Sequence, residues 1–137
     1  MVISSPINEY KKYHQNDINI LIHRICIPLL LCTFMAMCNT FISYCIYIFY
    51  NTLYLGFLYN SKYYSLHKNL FIFVYLTIIS TTSNYIKRNL SFNIIFYIHI
   101  FSWIAQFIGH FLFEKNKPAL LDNFFNSIFW APLAIFY

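Results

Sequence analysis

The sequence predicts an all-α fold: an integral membrane helical bundle of about four transmembrane helices, with a short N-terminal surface helix and an amphipathic C-terminal segment. Two observations carry this expectation. Apolar residues form 60% of the chain and charged residues only 9%, against about 25% charged in soluble domains. The apolar residues also gather in runs at about 22–38, 41–59, 70–86 and 90–113, close to the length needed to cross about 30 Å of hydrocarbon. At 137 residues the chain is expected to form a single membrane-embedded domain over 1–137.

Ser5 and Pro6 read as an N-cap and first helical position, opening a short polar helix to Tyr13 that should lie at the membrane surface. His14 to Asp17 break that pattern, and Asn16 or Asp17 can cap the next helix, which Pro28 should kink. Asn39 and Thr40 leave a tight turn before the second span. A polar loop from Asn60 to Asn69 precedes the third, which Lys87, Arg88 and Asn89 close. Pro118 should stop the fourth helix before the aromatic C-terminal stretch.

The net charge of +5 does not point to nucleic acid, because the basic residues fall as scattered pairs at helix ends, where they anchor spans at lipid head groups. Lys11, Lys12, Lys62, Lys68, Lys115 and Lys117 share one side of a four-span topology against Lys87 and Arg88 on the other. The positive-inside tendency then makes both termini cytoplasmic. Cys26, Cys32, Cys38 and Cys45 match no CxxC pattern and read as small packing residues. The N-terminus lacks the apolar core of a cleavable signal, so the first span is expected to target the chain. Oligomeric state is not legible.

Chemistry concentrates in the fourth span. His99, Trp103, Gln106, His110 and Glu114 are spaced 4, 3, 4 and 4 apart, which places them on one arc of an α-helix. Polar groups in hydrocarbon are costly, so such a stripe faces a bundle interior or a site. His14 and His23 lie before and within the first span, and all four histidines can meet at the cytoplasmic half of a bundle. Converging neutral imidazoles suit zinc, copper or iron; the bland reading is four separate buried histidines, each hydrogen-bonded.

An unbroken helix separates His99 from His110 by roughly 16 Å, so that one metal bound at about 2.1 Å could barely be reached by both. Either the helix distorts near Gly109, or there are two metals, or one histidine supports a ligand from behind. Glu114 can complete a two-histidine, one-carboxylate iron centre or orient a ligand. Gln106 and Asn19 can hold ligands, substrate or water, or make ordinary interhelical hydrogen bonds. Arg24, Lys115 and Lys117 either attract an acidic head group or snorkel to the interface.

Two blocks of residues carry a resemblance: Tyr10-x3-His14-x4-Asn19-x3-His23-x3-Ile27-Pro28, and His99-x3-Trp103-x2-Gln106-Phe107-x-Gly109-His110-x3-Glu114 followed by Pro118-Ala119-Leu120-Leu121-Asp122-Asn123. Together they resemble the yeast-type 2-hydroxy fatty acid dioxygenase family, over about half the chain. The resemblance implies a multi-pass endoplasmic-reticulum membrane protein of fatty acid α-oxidation, on the route that degrades phytosphingosine. It implies Fe(II) and O2 as reagents, a 2-hydroxy long-chain fatty acid as substrate and an acid one carbon shorter as product. It implies His14, His23, His99 and His110 as iron ligands. Glu114, Gln106 and Asn19 are then expected in catalytic support. Cys26 departs from the glycine usual in the family before Ile-Pro. The alternatives are a non-catalytic lipid-binding or membrane-shaping protein with structural histidines, and a di-iron hydroxylase or desaturase, whose HxxxH and HxxHH clusters this chain lacks.

Overall fold

A computed structural model of the chain describes residues 6–59, 66–122 and 124–134. Every regular element among them is helical: α1 (Pro6–Lys12), α2 (Asp17–Met37), α3 (Thr40–Tyr59), α4 (Leu66–Asn89), α5 (Phe92–Ile108) continued by a π-helical segment (Gly109–Glu114), a 3-10 turn (Ala119–Leu121) and α6 (Phe124–Ala134). Among the described residues, three stretches are long and apolar enough to cross a membrane: Asp17–Met37, Asn69–Asn89 and Phe92–Glu114. The expected cap at Ser5, most of the loop from Asn60 and the last residues of the chain lie outside the described residues.

Asparagines begin two of these helices. The Asn16 side-chain oxygen accepts the backbone N–H groups of Ile18 at 2.9 Å and Asn19 at 3.3 Å, which makes Asn16 the cap of α2. Asn39 does the same for α3 through the N–H of Ile42 at 2.8 Å. Pro28 lies inside α2, which runs past it to Met37. Polar side chains inside the helices return to their own backbone one turn earlier, as Thr77 does to Phe73 O at 2.8 Å and Ser102 to Ile98 O at 2.8 Å. Such bonds make hydroxyls tolerable at apolar depth.

The chain divides into two compact units. One comprises residues 31–97. Within it α3 and α4 are antiparallel: Tyr47 OH meets Thr77 Oγ1 at 3.1 Å, and Lys87 at the end of α4 donates to the carbonyl of Cys38, just before α3 begins, at 2.6 Å. Lys87 is thus bound to backbone as well as placed at a helix end. The buried side chains here are mainly apolar, among them Leu31, Met35, Tyr54, Ile72, Leu76 and Ile79.

The other unit comprises residues 1–30 and 98–137, and its buried set is of a different kind. His14, Asn19, His23, Ser102, Gln106 and His110 are buried alongside Cys26 and Ile27. Leu21, Ile25, Leu29, Ile104, Ile108 and Phe111 are exposed. Apolar outside and polar inside is the arrangement expected of helices whose solvent is lipid.

Candidate metal site

The site is assembled from three short pieces of chain. The first is the bend after α1. His14 follows the last turn of α1, and its Nδ1 donates to the carbonyl of Tyr10 at 2.9 Å. Its ring stacks on that of Tyr10, with centroids 3.8 Å apart and planes within 9°. Using Nδ1 as donor leaves Nε2 with the lone pair.

The second piece is the first two turns of α2. His23 Nδ1 donates to the carbonyl of Asn19, one turn earlier, at 2.9 Å. His23 therefore also presents Nε2. An imidazole whose far nitrogen is bound to a carbonyl is fixed in tautomer and orientation, as metal-binding histidines usually are.

The third piece is the π-helical segment. α5 widens at Gly109, so residues beyond it leave the 3.6-residue stripe that the α-helical part follows. His110, the second residue of the segment, is 2% exposed. Its carbonyl receives the N–H groups of Lys115 and, at 3.3 Å, of Asn116. Lys115 has φ 54°, and this left-handed residue ends the helix before Pro118 is reached. The helix is therefore distorted at Gly109, as one of the three outcomes had it, but the distortion does not bring His99 into the group that His110 joins.

Gly109 is where the second and third pieces meet. A Cβ there would lie 2.5 Å from Asn19 Oδ1 and 3.3 Å from Ile22 Cδ1; only a residue without a side chain lets the two helices approach so closely. Asn19, fully buried, gives its Nδ2 to Glu114 Oε2 at 3.1 Å. The same carboxylate accepts the N–H of Gln15 on Oε1 at 2.8 Å and that of Asn16 on Oε2 at 3.0 Å. A carboxylate at the start of α2 also sits at the favourable end of the helix dipole. Glu114 thus clasps the bend that carries His14 to the segment that carries His110.

The three imidazoles meet nearly at right angles. Ring centroids are 4.4 Å apart for His14 and His23, and 4.8 Å for His14 and His110 and for His23 and His110. The interplanar angles are 78°, 70° and 80°. One nitrogen from each lies within 4.8 Å of the others, the one group of three potential ligands found among the described residues. His14 Nε2 and His110 Nδ1 are buried and have no hydrogen-bond partner there. Burial pulls the His14 pKa down from its ordinary value to about 4, so its ring is neutral at pH 7. Converging imidazole nitrogens, two of them buried and unpaired, fit a divalent metal ion.

The structure does not bring the other expected residues into this group. His99 Nε2 accepts the indole N–H of Trp103 at 3.2 Å, and His99 also hydrogen-bonds the backbone of Leu30. Gln106 is buried, with Nε2 on the carbonyl of Ser102 at 3.3 Å. Lys117 pairs with Asp122 at 2.5 Å, and Tyr13 OH donates to the other oxygen of Asp122 at 2.8 Å. Lys117 and then Tyr13 hold the Asp122 carboxyl below its ordinary pKa. Arg24 is exposed.

A profile of the family described as "2-hydroxy-palmitic acid dioxygenase Mpo1-like" matches residues 3–137. The chain is 31% identical to the "2-hydroxy-palmitic acid dioxygenase MPO1" of Saccharomyces cerevisiae over 146 aligned residues, which cover 98% of this chain and 78% of the yeast protein. No solved structure matches the chain.

Proposed function

The chain belongs to the Mpo1-like family, and we propose that it is an Fe(II)- and O2-dependent dioxygenase that shortens 2-hydroxy long-chain fatty acids by one carbon, releasing the carboxyl carbon. The observation that carries the reading is the perpendicular trio of His14, His23 and His110, with two buried nitrogens unpaired. These three residues would hold the metal. Three nitrogen ligands suit several ions, and the choice of iron rests on the chemistry: zinc is redox-silent, whereas O2 chemistry needs an ion that changes oxidation state. Bound there, Fe(II) would supply electrons and open positions for O2 and for the hydroxyl and carboxylate of the substrate.

The protein's own residues do the rest. The carbonyls of Tyr10 and Asn19 fix the rings of His14 and His23 with Nε2 inward. Glu114 and Asn19 hold the three pieces of chain in register, a supporting role for both. Gln106, a turn before His110, and His99, through Trp103, support the helix that delivers His110. The apolar exterior of α2 and α5 would let the acyl chain remain in lipid while its polar end enters the site.

The finer placement follows the resemblance and the distribution of charge: a multi-pass protein of the endoplasmic-reticulum membrane, α3 as a further span, both termini cytoplasmic, and a role in fatty acid α-oxidation and phytosphingosine breakdown. The test is product identity. Detergent-purified protein loaded with Fe(II) and given 2-hydroxypalmitate under O2 should yield the acid one carbon shorter and none from palmitate. Failure of iron-loaded protein to consume either O2 or substrate would favour a non-catalytic lipid-binding role with structural histidines.

A further inference from the structure

Four polar atoms of the site residues are buried without a hydrogen-bond partner among the described residues: Tyr10 OH, His14 Nε2, Asn19 Oδ1 and His110 Nδ1. A metal ion accounts for the two nitrogens, and Asn19 Oδ1, closed off against Gly109, is an acceptor and cannot serve a carboxylate. The Tyr10 hydroxyl has no such account. A buried hydroxyl without a partner is costly, and where a native protein keeps one, a functional role is among the explanations.

We propose that the Tyr10 hydroxyl is a substrate-binding group, which donates a hydrogen bond to the carboxylate of the 2-hydroxy acid at the histidine site. This rests on the reading of that site given above. Tyr10 is tied to the site twice over: its carbonyl holds His14 Nδ1 at 2.9 Å, and its ring lies flat on the His14 ring at 3.8 Å. The hydroxyl is therefore held within one ring's length of an imidazole that faces the metal position.

Three other side-chain donors of this unit are already engaged. Asn19 Nδ2 serves Glu114, Gln106 Nε2 serves Ser102 and Trp103 Nε1 serves His99. A carboxylate can only accept, so it needs a donor, and a phenol, protonated at neutral pH, is one. Two charges act on the same hydroxyl: that of Arg24 favours an anion there, and the Glu114 carboxylate, already held by the N–H groups of Gln15 and Asn16 and by Asn19, opposes it.

Tyr10→Phe removes the hydroxyl while keeping the stacked ring and the backbone carbonyl. The variant should keep its metal and melt at the same temperature or higher, because an unpaired buried hydroxyl has gone. Its KM for 2-hydroxypalmitate should rise about tenfold to a hundredfold, the usual loss for a hydrogen bond to a charged group. Inhibition by hexadecane-1,2-diol, which lacks the carboxylate, should be unchanged. Unchanged KM would overturn the proposal; so would equal weakening of the diol, which would move the contact to the 2-hydroxyl. Loss of metal from Tyr10→Phe would make Tyr10 a support for His14 instead. Equilibrium binding of the acid to metal-loaded protein reads the same contact without turnover, so failure of the contact is separable from failure of the proposed reaction.

Discussion

Gly109 and Asn19 are packed so closely that a methyl group on Gly109 would stand 2.5 Å from Asn19 Oδ1. This one approach sets where His110, next along the chain, stands against His23, which Asn19 orients through its carbonyl. Gly109→Ala must therefore push the two helices apart or displace the Asn19 amide from Glu114. The expected cost is about 1–3 kcal/mol, as for other overpacked positions, with metal affinity lowered more than tenfold. Thermal melts beside a metal titration check this. Wild-type affinity in Gly109→Ala would mean that the approach does not position His110.

Glu114 accepts three hydrogen bonds from the start of α2. Glu114→Ala strips them all and should destabilise the protein by about 1–2 kcal/mol, in the range of a lost helix cap. Glu114→Gln keeps one acceptor oxygen and should cost less. If Glu114 is a clasp and not a ligand, Glu114→Gln retains metal at saturating concentration with a weakened dissociation constant. Complete loss of stoichiometric binding in the glutamine variant would make it a ligand.

The low pKa of His14, about 4 because of burial, gives a pH dependence of known sign. The unfolded chain takes up this proton near pH 6.5, the folded protein only near pH 4. Stability is therefore complete above the unfolded value and declines as pH falls from about 6.5 towards 4, by up to about 3 kcal/mol for this group. Denaturation of metal-free protein from pH 8 to 4 measures it. His14→Gln should flatten that decline, and an identical profile in the variant would assign the pH dependence to other groups.

Much of this was readable from residue order. Long apolar runs located the helices, Asn16 was a candidate cap by its type and position, and the polar stripe from His99 to Glu114 marked the helix that carries chemistry. The stripe's own geometry was less secure. Constant 3.6-residue spacing put His99 and His110 on one face, but α5 becomes π-helical at Gly109 and ends at a left-handed Lys115. No residue type announces a π turn. The single glycine of that stretch was the available signal, and the need for it lies in Asn19, ninety residues earlier in the chain. Spacing within one helix likewise could not show that His99 is engaged by Trp103, nor that Glu114 caps another helix. These are long-range contacts, visible once the chain is folded.

The central claim is that His14, His23 and His110 together bind the metal. The most direct measurement is iron content, after anaerobic purification and Fe(II) reconstitution, of wild type beside the single alanine variants of His14, His23, His99 and His110, each confirmed folded by circular dichroism. About one ion per chain is expected in the wild type and in His99→Ala, as for a single three-histidine site, with little or none in the other three. Iron retained at full stoichiometry in the His14, His23 and His110 variants, or none in the wild type, would contradict the account.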